Sequence, residues 1–287
     1  MLQSSTLQLL RFPFSIFLMP VYWFALSQIR DVHIGRTILV FFILHVLVYP
    51  ASNGYNSYMD RDTASIGGIE HPKAPTKQLL YSTIILDLSA LILSLCISTW
   101  FFVGVLLFIL ASKAYSYRGI RLKKYPLIGY LTVIIFQGGL IYFLVKYACS
   151  ETLEFTKSWS AILGSSFLIG AFYPLTQVYQ HRQDKEDGVT SISAALGYKG
   201  TFIFTIIVFS LAMSCLGWYF ANNLELDHFL IIQICMLPTL TYFLWWMRMV
   251  FKNESAANFK NTMKMSIIGS LCSNSAFISI LMMKHFE

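Results

Sequence analysis

Two short polar segments stand out in an otherwise apolar chain, at residues 53–62 and 180–187. Each follows a long hydrophobic stretch and is rich in carboxylate and amide side chains. In both segments an amide precedes an aspartate by four residues: Asn56 and Asp60, then Gln180 and Asp184. This spacing places two side chains on one face of a helix, one turn apart. The repeated arrangement predicts a site for divalent cations.

Magnesium is the cation that such residues suit best. Mg²⁺ prefers oxygen ligands and is usually held by one or two carboxylates together with substrate phosphates and water. We predict Mg²⁺ as the cofactor and, as its ligands, two aspartates from each segment: Asp60, Asp62, Asp184 and Asp187. Asn56, Asp60 and Asp184 form the predicted catalytic set, because their spacing is the repeated feature.

The composition predicts the kind of structure in which these segments lie. The chain of 287 residues is 56% hydrophobic and 12% charged, with a mean hydropathy of +0.61. Soluble domains carry about 25% charged residues, so the sequence predicts an integral membrane protein. We expect a single all-α domain over residues 1–287, a bundle of about nine transmembrane helices. The apolar runs lie at 11–29, 34–52, 79–97, 99–116, 126–146, 158–178, 200–220, 228–250 and 263–283.

The positive charges predict the orientation of this bundle. Of the 21 Lys and Arg residues, 16 lie on the side that holds the amino terminus, and 5 on the other. The positive-inside rule therefore predicts an N-in, C-out topology, and it explains the net charge of +7 without a nucleic-acid partner. Both acidic segments and the basic loop at 113–124 then share the cytoplasmic face. Without a recognisable transit peptide, a bacterial-type inner membrane is expected; the oligomeric state is left open.

Carboxylates and cations at the mouth of an apolar bundle suit an isoprenyl diphosphate. Its head group would lie at the rim with Mg²⁺ and basic side chains, and its tail would lie among the membrane helices. Loss of diphosphate would give an allylic cation that aromatic rings can shield. The rings beside the motifs are Tyr55, Tyr58, Tyr115 and Tyr179. The predicted substrate-binding residues are Arg61, Lys113, Tyr115, Arg118, Arg121, Lys123, Gln180 and Arg182.

Three blocks in this order resemble the UbiA superfamily of intramembrane prenyltransferases. Residues 53–62 are similar to its N-x-x-x-D-x-x-x-D motif, residues 115–123 to its Y-S-x-x-x-x-(R/K)-L-K stretch, and residues 180–197 to its D-x-x-x-D region with the following G, Thr/Ser and L-G. The resemblance implies nine helices, Mg²⁺, a prenyl diphosphate donor and an aromatic acceptor such as a quinone precursor. Ala64 and Gln180 stand where the family pattern has aspartates.

Other functions remain compatible with these residues. A UbiA-type terpene cyclase would use the same donor without an acceptor, and a divergent relative would bind without catalysis. A membrane transporter fits less well, because carriers place polar residues near the bilayer midplane, whereas polarity here is concentrated at one surface. Asp87 is the exception: this intramembrane carboxylate allows a site role, a rim role or simple hydration.

Overall fold

The computed structural model describes residues 3–155 and 158–286, which form a bundle of helices. Within these ranges nine helices are long and apolar enough to cross a membrane, which confirms the predicted number. They are α1 Ser4–Ser27, α2 Ile34–Asp60, α3 Lys77–Leu95, α4 Thr99–Ser116, α5 Pro126–Cys149, α6 Trp159–Glu186, α7 Ile192–Asn222, α8 Leu226–Lys252 and α9 Phe259–His285. The protein is therefore a multi-pass membrane protein.

Two helices continue beyond the apolar runs and carry the acidic segments. The predicted second run ended at residue 52, but α2 remains helical to Asp60. The predicted sixth run ended at residue 178, but α6 continues to Glu186. The apolar pattern ends where the side chains become polar, whereas the backbone hydrogen bonds continue for further turns. Both segments thus belong to the helices that precede them, and they meet at one end of the bundle.

Several spans are interrupted where prolines remove backbone donors. In α1, Arg11 takes a left-handed conformation (φ 49°), and a 3₁₀ segment with Pro13 follows. In α6, the α-helix ends at Phe172, and the 3₁₀ segment Pro174–Gln180 leads into the last helical turns, His181–Glu186. These breaks alter the direction of side chains just below the acidic segments.

The opposite end of the bundle is closed by aromatic packing. Phe24 contacts Tyr142, Phe220 and Phe277, whose ring centroids lie 5.0, 6.2 and 4.8 Å away. Each ring belongs to a different helix, near the end remote from the acidic segments. Burial of such rings contributes strongly to packing. The bundle is therefore tightly filled at this end and open at the other.

Candidate active site

A cavity of about 300 Å³ opens at the end of the bundle that holds the acidic segments. Its upper part is polar and contains Asp60, Asp62, Lys123, Asp184 and Asp187. Its lower part is apolar and largely aromatic, with Phe14, Phe17, Phe108, Phe136, Leu168, Ile169 and Phe172. All four predicted metal ligands therefore line one space, above a pocket for an apolar group.

The first acidic segment is held rigidly by α2 and the loop after α4. The Asn56 amide donates to Ser116 Oγ at 3.0 Å. One turn later, the Asp60 side chain is 4% exposed; Oδ2 pairs with the Lys123 ammonium, and Arg121 Nη2 lies 3.6 Å from Oδ1. Two cations therefore compensate this buried carboxylate. Removing one partner from such a group typically costs about 3–5 kcal/mol.

The second segment reaches the cavity from the broken end of α6. Gln180 ends the 3₁₀ segment, and Asp184 lies in the short helix after it. The expected pair is thus not in one uninterrupted α-helix, but both side chains still line the cavity. Within the described residues, no Lys or Arg nitrogen lies within 4.0 Å of the Asp184 carboxylate.

Direct contacts join the two segments. Arg121 pairs with the Asp187 carboxylate and donates from Nη1 to the Asp187 carbonyl at 3.1 Å, while its other terminal nitrogen faces Asp60. The Gln183 amide donates to Asp62 Oδ1. Arg121 itself has a left-handed backbone (φ 52°), which residues other than glycine use rarely. These links place all four aspartates around the same opening.

The pKa of Asp62 is sensitive to the charge of this opening. Burial, with Asp60 and Asp187 nearby, raises the pKa of its carboxyl to about 6, although Lys123 and Arg11 act in the opposite direction. The positive charges of Lys123 and Arg11 do not offset the effects of burial and of the neighbouring carboxylates. A cation placed among these groups would favour the ionised form.

The donor set fits a magnesium ion shared with a ligand. Among the residues described, no three His, Cys, Asp or Glu side chains are grouped closely enough to enclose a metal. Mg²⁺ does not need such a group when substrate phosphates complete its coordination. Asp60 Oδ1 and Gln183 Oε1 are buried oxygens without a hydrogen-bond partner in the described part of the chain. The cavity therefore offers oxygen ligands with unused capacity.

Two tyrosines border the polar and apolar parts. The Tyr115 and Tyr173 hydroxyls contact each other, and Gln177 Nε2 donates to the Tyr173 hydroxyl at 2.8 Å. Tyr179 also lines the cavity. Rings fixed in this way present π-faces, which attract cations.

Five of the predicted substrate-binding residues lie outside the cavity lining: Arg61, Lys113, Arg118, Arg121 and Arg182. Arg61 is exposed where α2 ends. Lys113 pairs with Asp87 at 2.6 Å and lies over the Tyr55 ring. Arg118 donates to the Met59 carbonyl at 2.8 Å, at the end of α2. The Arg182 side chain is 93% exposed and pairs with Glu186.

Asp87 also differs from the expected position. A rim role would require it to lie near a helix end, but it lies in the middle of α3 (Lys77–Leu95) and is 8% exposed. Its pairing with Lys113 excludes simple hydration as its role. The polar pair instead joins α3 to α4.

The structure adds cavity residues that the sequence did not single out as site residues. Arg11 donates to the Asn53 and Gly67 carbonyls at 3.1 and 3.2 Å, so it fixes the loop after α2. An arginine inside an apolar span was the available signal. The polar positions 177, 180, 184 and 187 repeat every three or four residues, which predicts a polar helix face. Gln177 and Gln183 carry no charge, so the spacing of aspartates does not identify them.

Comparison with known proteins agrees with this arrangement. A UbiA homologue from Archaeoglobus fulgidus bound to DMAPP and Mg²⁺ has a TM-score of 0.72 at 15% identity, covering 97% of this chain and 99% of that one. A structure of digeranylgeranylglyceryl phosphate synthase gives 0.62 at 19% identity, covering 97% and 96%. The apo UbiA homologue from Aeropyrum pernix K1 gives 0.69 at 15%, covering 94% and 98%.

No protein with a curated description matches the sequence. The likeness to the solved structures is a likeness of fold. The model of the UbiA prenyltransferase family, however, matches residues 17–268, which is most of the sequence. That match includes both acidic segments, the basic loop between them and most of the helical residues that enclose the cavity. The chain belongs to the UbiA prenyltransferase family.

Proposed function

We propose that the protein transfers a prenyl group, with Mg²⁺, from a prenyl diphosphate to an aromatic acceptor such as a quinone precursor. The observation that carries this proposal is the shared cavity, with four carboxylates and Lys123 at the top and aromatic rings beneath. Relatives of the same fold are described as bound to GPP and Mg²⁺, and to DMAPP and Mg²⁺. Those ligands match the two chemical halves of this cavity.

The carboxylates and the basic residues have different roles at the diphosphate. Mg²⁺, when bound, would supply the positive charge that stabilises a leaving diphosphate. Asp60, Asp62, Asp184 and Asp187 are the residues that would hold the ion. Lys123, which lines the cavity and compensates Asp60, is placed to donate to the diphosphate oxygens. Arg121 lies outside the lining and would hold Asp60 and Asp187 in position. Asn56 keeps the face of α2 in position through Ser116.

The lower cavity would stabilise the prenyl group as its bond to oxygen breaks. The Tyr115 and Tyr173 rings lie at the boundary between the two parts, where the first carbon of the donor would lie. Their π-faces would stabilise the allylic cation. An electron-rich ring of the acceptor would then form the new carbon–carbon bond and lose a proton.

Diphosphate release by the purified protein in nanodiscs tests this proposal. Dimethylallyl, geranyl, farnesyl and geranylgeranyl diphosphates are offered with phenols, naphthoates and a prenylated glyceryl phosphate, with Mg²⁺ and with EDTA. Mg²⁺-dependent release that requires a phenol or naphthoate is the expected result. A requirement for the glyceryl phosphate would replace the aromatic acceptor with a lipid.

The remaining outcomes would change the class of the protein. Release without any acceptor would identify a cyclase or a hydrolase. Binding of donors without release under any condition would identify a non-catalytic relative. Either result would overturn prenyl transfer as the function.

We also propose that the cavity opens to the cytoplasm and that the membrane is a bacterial-type inner membrane. Support comes from the 16 Lys and Arg residues on the side of the acidic segments. A periplasmic phosphatase reporter fused after residue 287 should be active, and one inserted in the loop at 118–124 should be inactive. The reverse pattern would contradict the N-in topology.

A further inference from the structure

A second cavity of about 250 Å³ lies between α6, α7, α8 and α9. Its lining is mainly apolar: Ala171, Phe172, Leu175, Thr205, Ile206, Phe209, Ser210, Thr239, Leu240, Phe243, Leu244 and Met265. None of the sequence motifs points to it. Leu244 and Ile206 are 53% and 41% exposed, so the cavity reaches the outer, lipid-facing surface of the bundle.

Two prolines lie at the level of this cavity. Pro174 follows the α-helical part of α6, and Pro238 lies inside α8 beside Thr239. Proline removes a helical hydrogen bond and clashes with the preceding turn, which bends the helix. Both prolines lie on helices that face the gap, within one residue of a cavity-lining side chain.

Phe172 separates this cavity from the candidate active site, since it lines both of them. Its neighbours on α6 divide between the two, with Ile169 facing the active-site cavity and Leu175 the second cavity. Across the gap, the ring lies against the bare backbone of Gly269: a Cβ on that glycine would be 2.4 Å from Phe172 Cε1. The ring and the glycine together close the space between α6 and α9.

We propose that Phe172 limits the length of the prenyl donor by closing the side of the active-site cavity between α6 and α9, and that the second cavity is an apolar site for additional isoprene units once this wall is smaller. This inference rests on the proposed function. Phe172 lies twelve residues before Asp184, roughly 21 Å along α6, because seven of those residues form a 3₁₀ segment with a rise of about 2.0 Å per residue. A chain that extends from a diphosphate at the carboxylates would therefore meet this ring, with only Leu168 and Ile169 of α6 lining the cavity about one turn deeper.

The second cavity is large enough for this occupant. An apolar protein cavity of about 150 Å³ can hold a benzene molecule. An isoprene unit has fewer carbons than benzene, so 250 Å³ accommodates at least one unit. The hydroxyl of Thr205 donates to the Ala171 carbonyl at 3.2 Å and does not require a polar ligand.

The test measures donor affinity rather than turnover. Non-hydrolysable thiolodiphosphates with dimethylallyl, geranyl, farnesyl and geranylgeranyl chains are titrated into the full-length protein in nanodiscs with Mg²⁺. In the wild type, affinity should rise with chain length and then stop at a limit. Phe172→Ala should move this limit at least one isoprene unit longer, with at least about tenfold tighter binding of the first donor beyond it.

Two further variants locate the effect. Phe209 lines the second cavity but not the first, so Phe209→Ala enlarges that cavity behind an intact wall and should leave the limit unchanged. Thr239→Phe, added to Phe172→Ala, fills the second cavity and should return the limit to that of the wild type. Phe172→Leu gives a smaller shift in the same direction and replaces Phe172→Ala if the latter fails to fold.

An unchanged limit in Phe172→Ala and Phe172→Leu would overturn the inference while leaving the proposed function intact. A longer limit that persists after Thr239→Phe would overturn the role of the second cavity. Absence of binding for every donor in the wild type would overturn the proposed function itself, and this inference with it.

Discussion

The two acidic segments share a spacing but differ in how their charges are compensated. Asp60 lies at the end of a continuous α-helix, is 4% exposed and has two cationic neighbours. Asp184 lies after a helix break, and among the described residues it has no Lys or Arg partner within 4.0 Å. The first carboxylate is therefore part of the folded framework as well as of the site. The second has a hydrogen bond with the Ser191 side chain but, within the described ranges, no close cationic partner, so its charge is left for a ligand to compensate.

The largest effect is expected at Asp60. Asp60→Asn should lower turnover by at least about 10²-fold, the scale of losing a central electrostatic stabiliser. It should also destabilise the protein, because Lys123 and Arg121 would remain without their shared carboxylate. Turnover and thermal unfolding are measured on the same nanodisc sample. An unchanged melting temperature would show that this ion-pair cluster does not support the fold.

Asp184→Asn should separate catalysis from stability. A loss of at least about 10²-fold in turnover is expected here too if Asp184 holds the metal. The melting temperature should stay close to that of the wild type, because no ion pair is broken. Wild-type turnover in this variant would remove Asp184 from the proposed metal ligands. Equal destabilisation in Asp60→Asn and Asp184→Asn would show that the two segments contribute equally to the stability of the fold.

Arg121 is the residue that couples the two segments, and its removal should have an intermediate effect. Arg121→Ala leaves Asp60 with Lys123 but removes the partner of Asp187. A loss of about 2–3 kcal/mol of interaction, or roughly 30–150-fold in turnover, is the usual scale for a hydrogen bond to a charged group. Arg121→Lys is the matched control, since it retains charge without the bidentate geometry. Full activity in Arg121→Ala would mean that Lys123 alone suffices.

The smallest effect is expected at Arg182, although it lies inside the second segment. Its side chain is 93% exposed and pairs only with the neighbouring Glu186 among the described residues. Surface pairs of this kind contribute about 0–1 kcal/mol. Arg182→Ala should therefore change turnover less than about twofold in the diphosphate-release assay. A larger loss would return Arg182 to the substrate-binding set, as its sequence position first indicated.

Arg182 and Arg121 also show what sequence could and could not predict. Both are basic residues close to a motif, and nothing in their spacing tells them apart. Hydropathy predicted nine spans because the bilayer sets the length of each helix. The aspartates were found because their spacing repeats. The break in α6 and the wall formed by Phe172 depend on how distant helices pack, which no local pattern records.

Arg11 also shows that the sequence does not reveal contacts between distant parts of the chain. A single arginine within an apolar span carries a signal, but its partners, the carbonyls of Asn53 and Gly67, lie in a different part of the chain. Its role became visible only when those residues were brought together.

The pairing of Asp87 with Lys113 has a consequence for the way the chain enters the membrane. Asp87 alone, at the centre of an inserting helix, opposes insertion by roughly 2.5–3.5 kcal/mol. The two helices are joined by a short turn at 96–98, so Lys113, in the last turn of α4, supplies the counter-charge as soon as both helices emerge. Helices α3 and α4 would then partition into lipid as one hairpin during synthesis. Neutralising Lys113 would therefore first reduce the efficiency of membrane integration, before any reaction takes place.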